Sequence, residues 1–227
     1  MSQKVEILND NGEKLVGLHY KTLSKKLIIL CHGYKSSKDH PALKKIADRL
    51  FQNGYSVFRF DFTGHGESEG KIQINIIQQF KDIKAVIKYF EEYDNFILIG
   101  ASFSGFIASI AAYKCKKVSR LITINGLFYL KNFGLKYFLL KVESILNRKI
   151  NKQLTFYSDY FKPELIKIPT LVIHVKNDRI LDVKQSMQFY SSLKNDRKYV
   201  VLEEGDHHLS KQRYINNVVD EIRKWLF

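Results

Sequence analysis

The sequence predicts an α/β fold in which helices cover both faces of a mostly parallel central sheet. From residue 27 onward, short apolar runs suited to buried strands alternate with longer segments whose apolar residues recur at helical spacing. The 227 residues are 45% hydrophobic, which is enough for one full-sized core. Because the chain has 3 prolines and no linker rich in glycine, serine or proline, we expect a single domain over residues 1–227.

The predicted elements follow one another in a simple order. The chain opens with a hairpin, because strand-like residues 5–8 and 14–20 flank the turn-forming pair Asn11-Gly12. Apolar runs predict the further strands, at residues 27–31, 56–60, 95–99, 121–125, 170–175 and 198–202. Helical spacing predicts the helices, at residues 41–51, 74–90, 106–112, 183–193 and 214–226. This alternation is typical of parallel strands joined by helical crossovers.

One segment, residues 126–167, interrupts the alternation. It is longer than an ordinary connection between a strand and a helix, and it is rich in leucine and aromatic residues. Because it leaves the sheet at the carboxyl end of a strand, we expect a small cap or lid in which Phe133, Tyr137 and Phe138 contact the substrate. The alternative is one ordinary helix followed by a surface loop.

The charge and hydropathy of the chain limit its partners. The formal net charge is +14, a balance found in proteins that bind nucleic acid or anionic surfaces. The lysines occur singly or in pairs and accompany no recognised nucleic-acid-binding motif, so we predict no nucleic-acid partner. No apolar stretch is long enough to cross a bilayer, so no stable membrane insertion is expected. We expect a monomer or a homodimer.

The two cysteines, Cys31 and Cys115, form neither a disulfide framework nor a zinc-binding pattern. They fit a reducing compartment, and residues 1–6 lack the basic start and apolar region of a signal peptide, so we predict a cytoplasmic protein. The sequence holds no cluster of metal ligands, no dinucleotide-binding glycine pattern and no phosphate-binding loop. We therefore predict no cofactor and no metal.

The residues that follow the predicted strands carry the chemically informative side chains. In a parallel sheet these strand ends meet at one edge, where the active sites of α/β proteins lie. Ser102 follows the strand at 95–99 within the run Gly100 to Gly105, in which every residue but Phe103 is small, and this is typical of a nucleophile on a sharp strand-to-helix turn. Asp178 follows the strand at 170–175, and His207 follows the strand at 198–202.

Together these residues predict a catalytic triad. A serine hydroxyl is a poor nucleophile at neutral pH, so it needs a histidine as base and an aspartate that orients the imidazole. The strand ends therefore offer Ser102 as candidate nucleophile, His207 as candidate base and Asp178 as candidate acid. The residue pattern leaves other assignments open: Ser102 as a helix N-cap, His208 in place of His207, and Asp182 or Asp206 in place of Asp178.

Five sequence features in this order resemble the α/β-hydrolase superfamily, over nearly the whole chain from about residue 15 onward. Within it, the chain most resembles small bacterial carboxylesterases, including the cinnamoyl- and feruloyl-esterase-like group. The features are His32-Gly33, the run Asp61 to Ser68, the turn at Ser102, Asp178, and Asp206-His207. The sequence departs from the usual Gly-x-Ser-x-Gly pattern at Ser104, which occupies the second glycine position.

The resemblance implies an α/β-hydrolase fold and further site residues. The backbone N–H groups of Tyr34 and Phe103 would form the oxyanion hole. His32 and His65 would hold their loops and take no part in the chemistry, while Ser104 would only pack at the turn. A separate histidine inside a predicted strand, His174, is interpreted as a packed core residue.

The expected function is that of a serine hydrolase that cleaves carboxylic esters of small to medium acyl or aryl-acyl groups through an acyl-enzyme intermediate. Its partner would be a small-molecule ester substrate. The same triad serves thioesterases and lipases that act on monoacylglycerols or lysophospholipids, so these activities stay open. A non-catalytic binding protein of the same fold is a further alternative, against which the intact serine, aspartate and histidine argue.

Overall fold

The computed structural model describes residues 2–72, 75–129 and 161–226, and the strands of these residues form one eight-stranded sheet. The strands are β1 (Gln3–Leu8), β2 (Lys14–Tyr20), β3 (Lys26–Cys31), β4 (Ser56–Phe60), β5 (Asn95–Ala101), β6 (Val118–Ile124), β7 (Thr170–Val175) and β8 (Arg197–Leu202). The helices are α1 (Pro41–Gln52), α2 (Ile76–Tyr89), α3 (Ser104–Lys114), α4 (Lys184–Ser192) and α5 (Gln212–Leu226). Across the sheet the strands follow the order β1-β2-β4-β3-β5-β6-β7-β8.

The sheet is antiparallel at its beginning and parallel elsewhere. Strands β1 and β2 form the predicted hairpin, whose turn is closed because the side-chain oxygen of Asn9 accepts hydrogen bonds from the backbone N–H groups of Asn11 and Glu13. Strand β2 also pairs antiparallel with β4. From β4 through β8 every pairing is parallel, so the carboxyl ends of these strands open on one edge of the sheet.

Helices pack on both faces of the sheet because the central strands are apolar on both faces. In β5, Phe96 and Leu98 join one buried cluster together with residues of α2 and α3. Their neighbours Ile97 and Ile99 join a second buried cluster with residues of α1 and α5. Side chains alternate along a strand, so a continuous apolar run serves two cores at once.

The fold class predicted from the sequence is confirmed, and the differences lie at the ends of elements. Helix α2 begins at Ile76, two residues later than predicted, because Asn75 caps it by accepting a hydrogen bond from the N–H of Gln78. Helix α3 begins at Ser104, two residues earlier than predicted. Of the helices in the described ranges, none has the length and apolar character that crossing a bilayer would require.

Most of the predicted cap lies outside the described residues, which include only its first and last few positions. At these positions, Phe128 stacks on Phe189 of α4 with ring centroids 3.9 Å apart, and Phe161 stacks on the same ring at 5.9 Å. Both ends of the segment are therefore anchored to the core. The predicted substrate contacts Phe133, Tyr137 and Phe138 lie outside the described residues, and the cap stays a prediction.

Candidate active site

The turn between β5 and α3 holds Ser102 in a strained backbone conformation. Its φ is 54°, in the left-handed region that residues other than glycine rarely adopt. The N–H of Ser102 donates to the carbonyl of Ile124 at 2.9 Å. The carbonyl of Ser102 accepts hydrogen bonds from the N–H groups of Gly105 and Leu127, both at 3.0 Å. These bonds tie the turn to α3 and to the end of β6, so the strained conformation is fixed from two sides.

Ser102, His207 and Asp178 lie in one hydrogen-bonded row. His207 Nε2 is 3.0 Å from Ser102 Oγ, and His207 Nδ1 is 2.7 Å from Asp178 Oδ2. The side chains of His207 and Asp178 are 6% and 0% exposed, so water is excluded from the acid end of the row. Because a carboxylate only accepts, Nδ1 carries the imidazole hydrogen and Nε2 is free to take a proton from the serine hydroxyl.

The Asp178 carboxylate has hydrogen-bond donors at both oxygens. Oδ1 accepts from the N–H groups of Ile180 at 2.8 Å and Leu181 at 3.0 Å, while Oδ2 faces His174 and His207. Burial alone would raise the pKa of Asp178, but the hydrogen bonds from His174, His207 and the backbone hold it well below its usual range. The carboxylate is therefore ionised at neutral pH and can stabilise an imidazolium at His207.

The structure places the alternative triad residues, Asp182, Asp206 and His208, outside the hydrogen-bonded row. Asp206 accepts hydrogen bonds from backbone N–H groups within its own turn, and Asp182 does the same at the start of α4. His208 is exposed, and its ring stands edge-on to that of His207 with centroids 5.2 Å apart. Of the two adjacent histidines, His207 is the one hydrogen-bonded to Ser102.

The loop after β3 forms a wall beside Ser102. A Cβ atom built on Gly33 would lie 3.1 Å from Ser102 Cβ, so a larger residue would crowd the serine. Tyr34 and Phe103, the residues predicted for the oxyanion hole, line the same cavity as Ser102, and their ring centroids are 6.3 Å apart. The structure thus brings both predicted residues to the serine, and their action as N–H donors belongs to the proposal below.

Ser104 ties the turn at Ser102 to the end of β3. Its hydroxyl donates a hydrogen bond to the carbonyl of His32. Its backbone also passes so close to Gly100 that a side chain at that position would collide with it. The sequence interpretation gave Ser104 a packing role alone, and this hydrogen bond corrects it. A bond between residues 72 positions apart leaves no signal in the local pattern.

Two further histidines hold the loops next to the site. His32 Nε2 accepts from the N–H of Phe62 at 3.1 Å, so its Nδ1 carries the hydrogen and donates to the carbonyl of Gly33 at 2.8 Å. Burial lowers the pKa of His32 to about 4, which keeps the ring neutral at physiological pH. His65 Nδ1 donates to the carbonyl of Thr63 at 3.0 Å, within its own loop.

A buried cluster of charges links the loop after β3 to the loop after β4. Lys38 Nζ lies 2.9 Å from Asp61 and 2.6 Å from Glu67, and the side chains of Lys38 and Asp61 are 2% and 0% exposed. Arg59 donates to the carbonyl of Lys38 at 2.5 Å and to Asp39 at 2.8 Å. Burial alone would lower the pKa of Lys38, but its hydrogen bonds to Glu67, Asp61 and Asp39 raise it, so the ammonium stays charged.

A cavity of about 590 Å³ opens beside Ser102. Its apolar wall comes from α1 and from the ends of β6, β7 and β8: Ala42, Leu43, Ile46, Ile124, Leu127, Ile180, Leu181 and Leu209. Its polar rim consists of Lys35, Ser36, His40 and His208. Among the described residues that line it, none is acidic. Such a cavity suits an apolar group bound next to the serine hydroxyl.

Within the described ranges, no group of three or more histidine, cysteine, aspartate or glutamate side chains is placed to hold a metal ion. Ser102 is hydrogen-bonded to the imidazole of His207, which is itself hydrogen-bonded to the carboxylate of Asp178. The arrangement can therefore activate a hydroxyl by proton transfer.

Asn125 is a site residue that the sequence interpretation missed. It directly follows β6 and has a left-handed φ of 48°. Its side-chain N–H donates to the carbonyl of His207 at 3.1 Å, and its side-chain oxygen accepts from the N–H of Val175 at 2.9 Å. Asn125 thus joins the end of β6 to the strand end that precedes Asp178 and to the turn that carries His207. The sequence interpretation placed Asn125 inside the strand at 121–125, and its polar side chain at the end of an apolar run was the available signal.

Sequence comparison gives one family and a curated relative. The family described as serine aminopeptidase S33 (Hydrolase_4) matches residues 22–158, which is more than half of the chain. The mitochondrial palmitoyl-protein thioesterase ABHD10 of Mus musculus is 26% identical over 244 residues, covering 96% of this chain and 81% of the mouse protein.

Structure comparison gives many chains of the same fold. The esterase Pf2001 of Pyrococcus furiosus matches with a TM-score of 0.80 and 24% identity, covering 100% of this chain and 89% of the esterase. Est1E from Butyrivibrio proteoclasticus, solved with ferulic acid bound, matches with a TM-score of 0.82 and 19% identity over 98% of this chain and 97% of its own. At these identities the likeness establishes the fold.

Proposed function

Because the chain belongs to the serine aminopeptidase S33 family (Hydrolase_4), it is a hydrolase, and we propose that it cleaves carboxylic esters with Ser102 as nucleophile. The observation that carries this proposal is the hydrogen-bonded row of Ser102, His207 and Asp178 beside a largely apolar cavity. A nucleophile with a base in hydrogen-bond reach, and a third group that orients the base, is the arrangement that acyl transfer requires.

In the first half of the reaction, Ser102 Oγ attacks the carbonyl carbon of the bound ester. As the new bond forms, His207 Nε2 accepts the hydroxyl proton over the 3.0 Å hydrogen bond. The electron pair of the carbonyl moves onto its oxygen, where the backbone N–H groups of Tyr34 and Phe103 stabilise it. The ionised Asp178 stabilises the imidazolium that forms at His207.

The intermediate then collapses and breaks the bond to the alcohol oxygen, which takes the proton from His207 as it leaves. The acyl group stays on Ser102 as an ester. A water molecule gives a proton to His207 Nε2 and attacks the acyl carbon, and the second collapse returns the proton to Ser102 Oγ. The products are the alcohol and the carboxylic acid, and the enzyme is restored.

The apolar wall of the cavity is the proposed site of the acyl group. An apolar pocket discriminates between chain lengths by about 1–3 kcal/mol per methylene, which gives a graded preference and no sharp cut-off. A volume of about 590 Å³ shared between acyl and leaving groups favours small to medium acyl or aryl-acyl chains.

Thioesters are the second candidate substrates, because the mouse relative is named as a palmitoyl-protein thioesterase. The acyl-enzyme on Ser102 would be identical, since only the leaving group changes from an alcohol to a thiol. The same triad and oxyanion hole would serve both reactions.

A hydrolysis panel tests the proposed function. It compares 4-nitrophenyl esters from acetate to palmitate, thioesters of the same acyl groups, and monoacylglycerols, each with wild type and Ser102→Ala. We expect turnover of oxygen esters with a maximum kcat/KM at small to medium chains, and none with Ser102→Ala. Higher kcat/KM for thioesters at every matched acyl group would favour the second candidate. Absence of turnover across the panel by folded wild type would contradict the proposal.

A further inference from the structure

His174 is a buried polar residue beside the row of Ser102, His207 and Asp178, and the mechanism above leaves it without a role. It lies near the carboxyl end of β7, four residues before Asp178, and its side chain is 0% exposed. Nδ1 is 2.6 Å from Ser186 Oγ on α4. Nε2 is 3.1 Å from the carbonyl of Leu181 and 3.5 Å from Asp178 Oδ2.

These partners assign the hydrogens of the imidazole. Carbonyl and carboxylate oxygens only accept hydrogen bonds, so Nε2 carries the hydrogen, donates it to the carbonyl of Leu181 and lies 3.5 Å from Asp178 Oδ2. Nδ1 then accepts the hydroxyl hydrogen of Ser186, which is itself completely buried. Both ring nitrogens of His174 are thus paired, as a buried polar side chain requires.

The result is a carboxylate flanked by two serine–histidine pairs. Ser102 and His207 approach Asp178 Oδ2 from the cavity, while Ser186 and His174 approach the same oxygen from the core. In each pair the serine donates to the histidine and a ring N–H of the histidine lies near the carboxylate, at 2.7 Å for His207 and at 3.5 Å for His174. The buried pair repeats the order of groups of the catalytic pair, but its two residues are completely buried and do not line the cavity beside Ser102.

We propose that His174 is a positioning residue for the reaction and that Ser186 orients it. This proposal rests on the proposed ester hydrolysis at Ser102. The N–H of His174 keeps Asp178 Oδ2 in the direction from which it meets His207. It also partly offsets the negative charge of the Asp178 carboxylate, which limits how strongly Asp178 stabilises the imidazolium of His207.

Packing alone does not account for a histidine at this position. Every residue of β7 is buried, and the two residues that flank His174, Ile173 and Val175, are aliphatic. An aliphatic side chain would fill a site in such a strand without the cost of burying two polar nitrogens. The sequence interpretation of His174 as a core residue is therefore right about its burial and incomplete about its partners.

Two conservative variants separate the roles of the two ring nitrogens. His174→Gln places an amide N–H near the Nε2 position, so it keeps a donor toward Asp178. His174→Asn places its amide near the Nδ1 position, so it keeps a partner for Ser186 and loses that donor. His19→Asn is the matched control, because His19 is also a buried strand histidine, bonded to the hydroxyl of Tyr93 at 2.9 Å.

We expect His174→Asn to lower kcat by about 10- to 100-fold, the effect of misplacing a catalytic group by about 1 Å. KM should change little, because His174 does not belong to the described lining of the cavity. The acid limb of the pH–rate profile should move to higher pH, since Asp178 without its second imidazole donor holds the imidazolium more tightly. His174→Gln should recover most of kcat and the wild-type pH profile, and His19→Asn should keep that profile while lowering Tm.

Identical kcat and pH profiles in wild type and His174→Asn would overturn the proposal. The proposal would also be overturned if the loss of activity in both the His174 and the His19 variants simply matched the loss of folded protein. Labelling of wild type by a fluorophosphonate keeps the two proposals apart. If folded wild type is neither labelled nor active, the ester hydrolysis itself fails, whereas labelled, active wild type with an unaffected His174→Asn variant overturns only the role of His174.

Discussion

Four residues around Ser102 adopt an unfavourable backbone conformation that their surroundings impose. Ser102, Asn125, Lys35 and Leu209 have φ values of 54°, 48°, 52° and 51°, all in the left-handed region. This conformation costs a residue other than glycine about 1–2 kcal/mol. Each of the four residues either lines the cavity or braces the turn of His207. Strain of this kind persists only where neighbouring contacts over-determine the backbone, and it clusters at sites of function.

At the residue scale, the role of Asp178 is tested by Asp178→Asn. The amide keeps the shape of the carboxylate but loses its charge and can present an N–H to His207, which favours the wrong imidazole tautomer. We expect kcat to fall by roughly 10⁴-fold with the fold intact, as in other triads. Asp182→Asn, the same change at the start of α4, is the control and should keep wild-type kcat. Comparable losses in both variants, measured with the preferred ester, would remove Asp178 from the mechanism.

The depressed pKa of Asp178 also predicts how the stability of the fold depends on pH. Because the pKa of Asp178 is depressed in the folded protein, its ionised carboxylate stabilises the fold above the unfolded pKa of about 4. That contribution is lost as the pH falls through this value toward the folded pKa. The difference in unfolding free energy between wild type and Asp178→Asn should therefore shrink from about pH 5 downward. Urea unfolding across this range measures it, and a constant difference would contradict the depressed pKa.

At the scale of elements, the site depends on loops that approach one another from neighbouring strands. The loop after β3 carries Gly33 and Tyr34 to the serine, and the buried Lys38–Asp61 pair fixes this loop to the one after β4. Asp61 also accepts from the backbone N–H groups of Lys38 at 2.6 Å and Glu67 at 2.9 Å. The charge cluster therefore fixes the loop that forms the wall of the cavity, and it does not directly hold a reacting group.

Removing one member of this cluster should be costly. Lys38→Met leaves the Asp61 carboxylate buried without its cation, and such a change costs about 3–5 kcal/mol of unfolding free energy. Lys44→Met, at an exposed position of α1, is the control and should change stability by less than about 0.5 kcal/mol. Denaturant unfolding measures both.

A double-mutant cycle with Asp61→Asn separates the ion pair from packing. If the pair is the cause, Lys38→Met should cost much less in the Asp61→Asn background than in wild type. Additive losses would show that the methylene stem of Lys38, and not its charge, holds the loop.

At the scale of the whole molecule, the fold could be predicted because its strands are buried on both faces. A run such as residues 96–99 must be apolar throughout to contribute side chains to both cores, so the sequence displays it directly. Helix ends were less certain, since they depend on single caps such as Asn75. The proximity of Ser102, Asp178 and His207 could be predicted from the topology, because parallel strands bring their carboxyl ends to one edge of the sheet.

The supporting contacts of the site could not be predicted in the same way. The hydroxyl of Ser104 bonds to His32, the amide of Asn125 bonds to the backbone of His207, and His174 bonds to Ser186. Each of these bonds joins different elements, and none follows from periodicity or local spacing. Hydrogen bonds of this kind depend on how side chains pack in three dimensions, which is why the sequence interpretation gave Ser104 and His174 only packing roles.

Covalent labelling with a fluorophosphonate, followed by the mass of the intact protein and of its peptides, tests the central claim most directly. Wild type and the control Ser191→Ala, at an exposed position of α4, should each take one adduct, which maps to Ser102 in the peptides. Ser102→Ala should take none, and His207→Ala should react far more slowly than His208→Ala, because His207 Nε2 is the proposed base and lies 3.0 Å from the hydroxyl. Labelling of Ser102→Ala at the wild-type rate, or an adduct on another residue of the wild type, would contradict the assignment of Ser102 as the nucleophile.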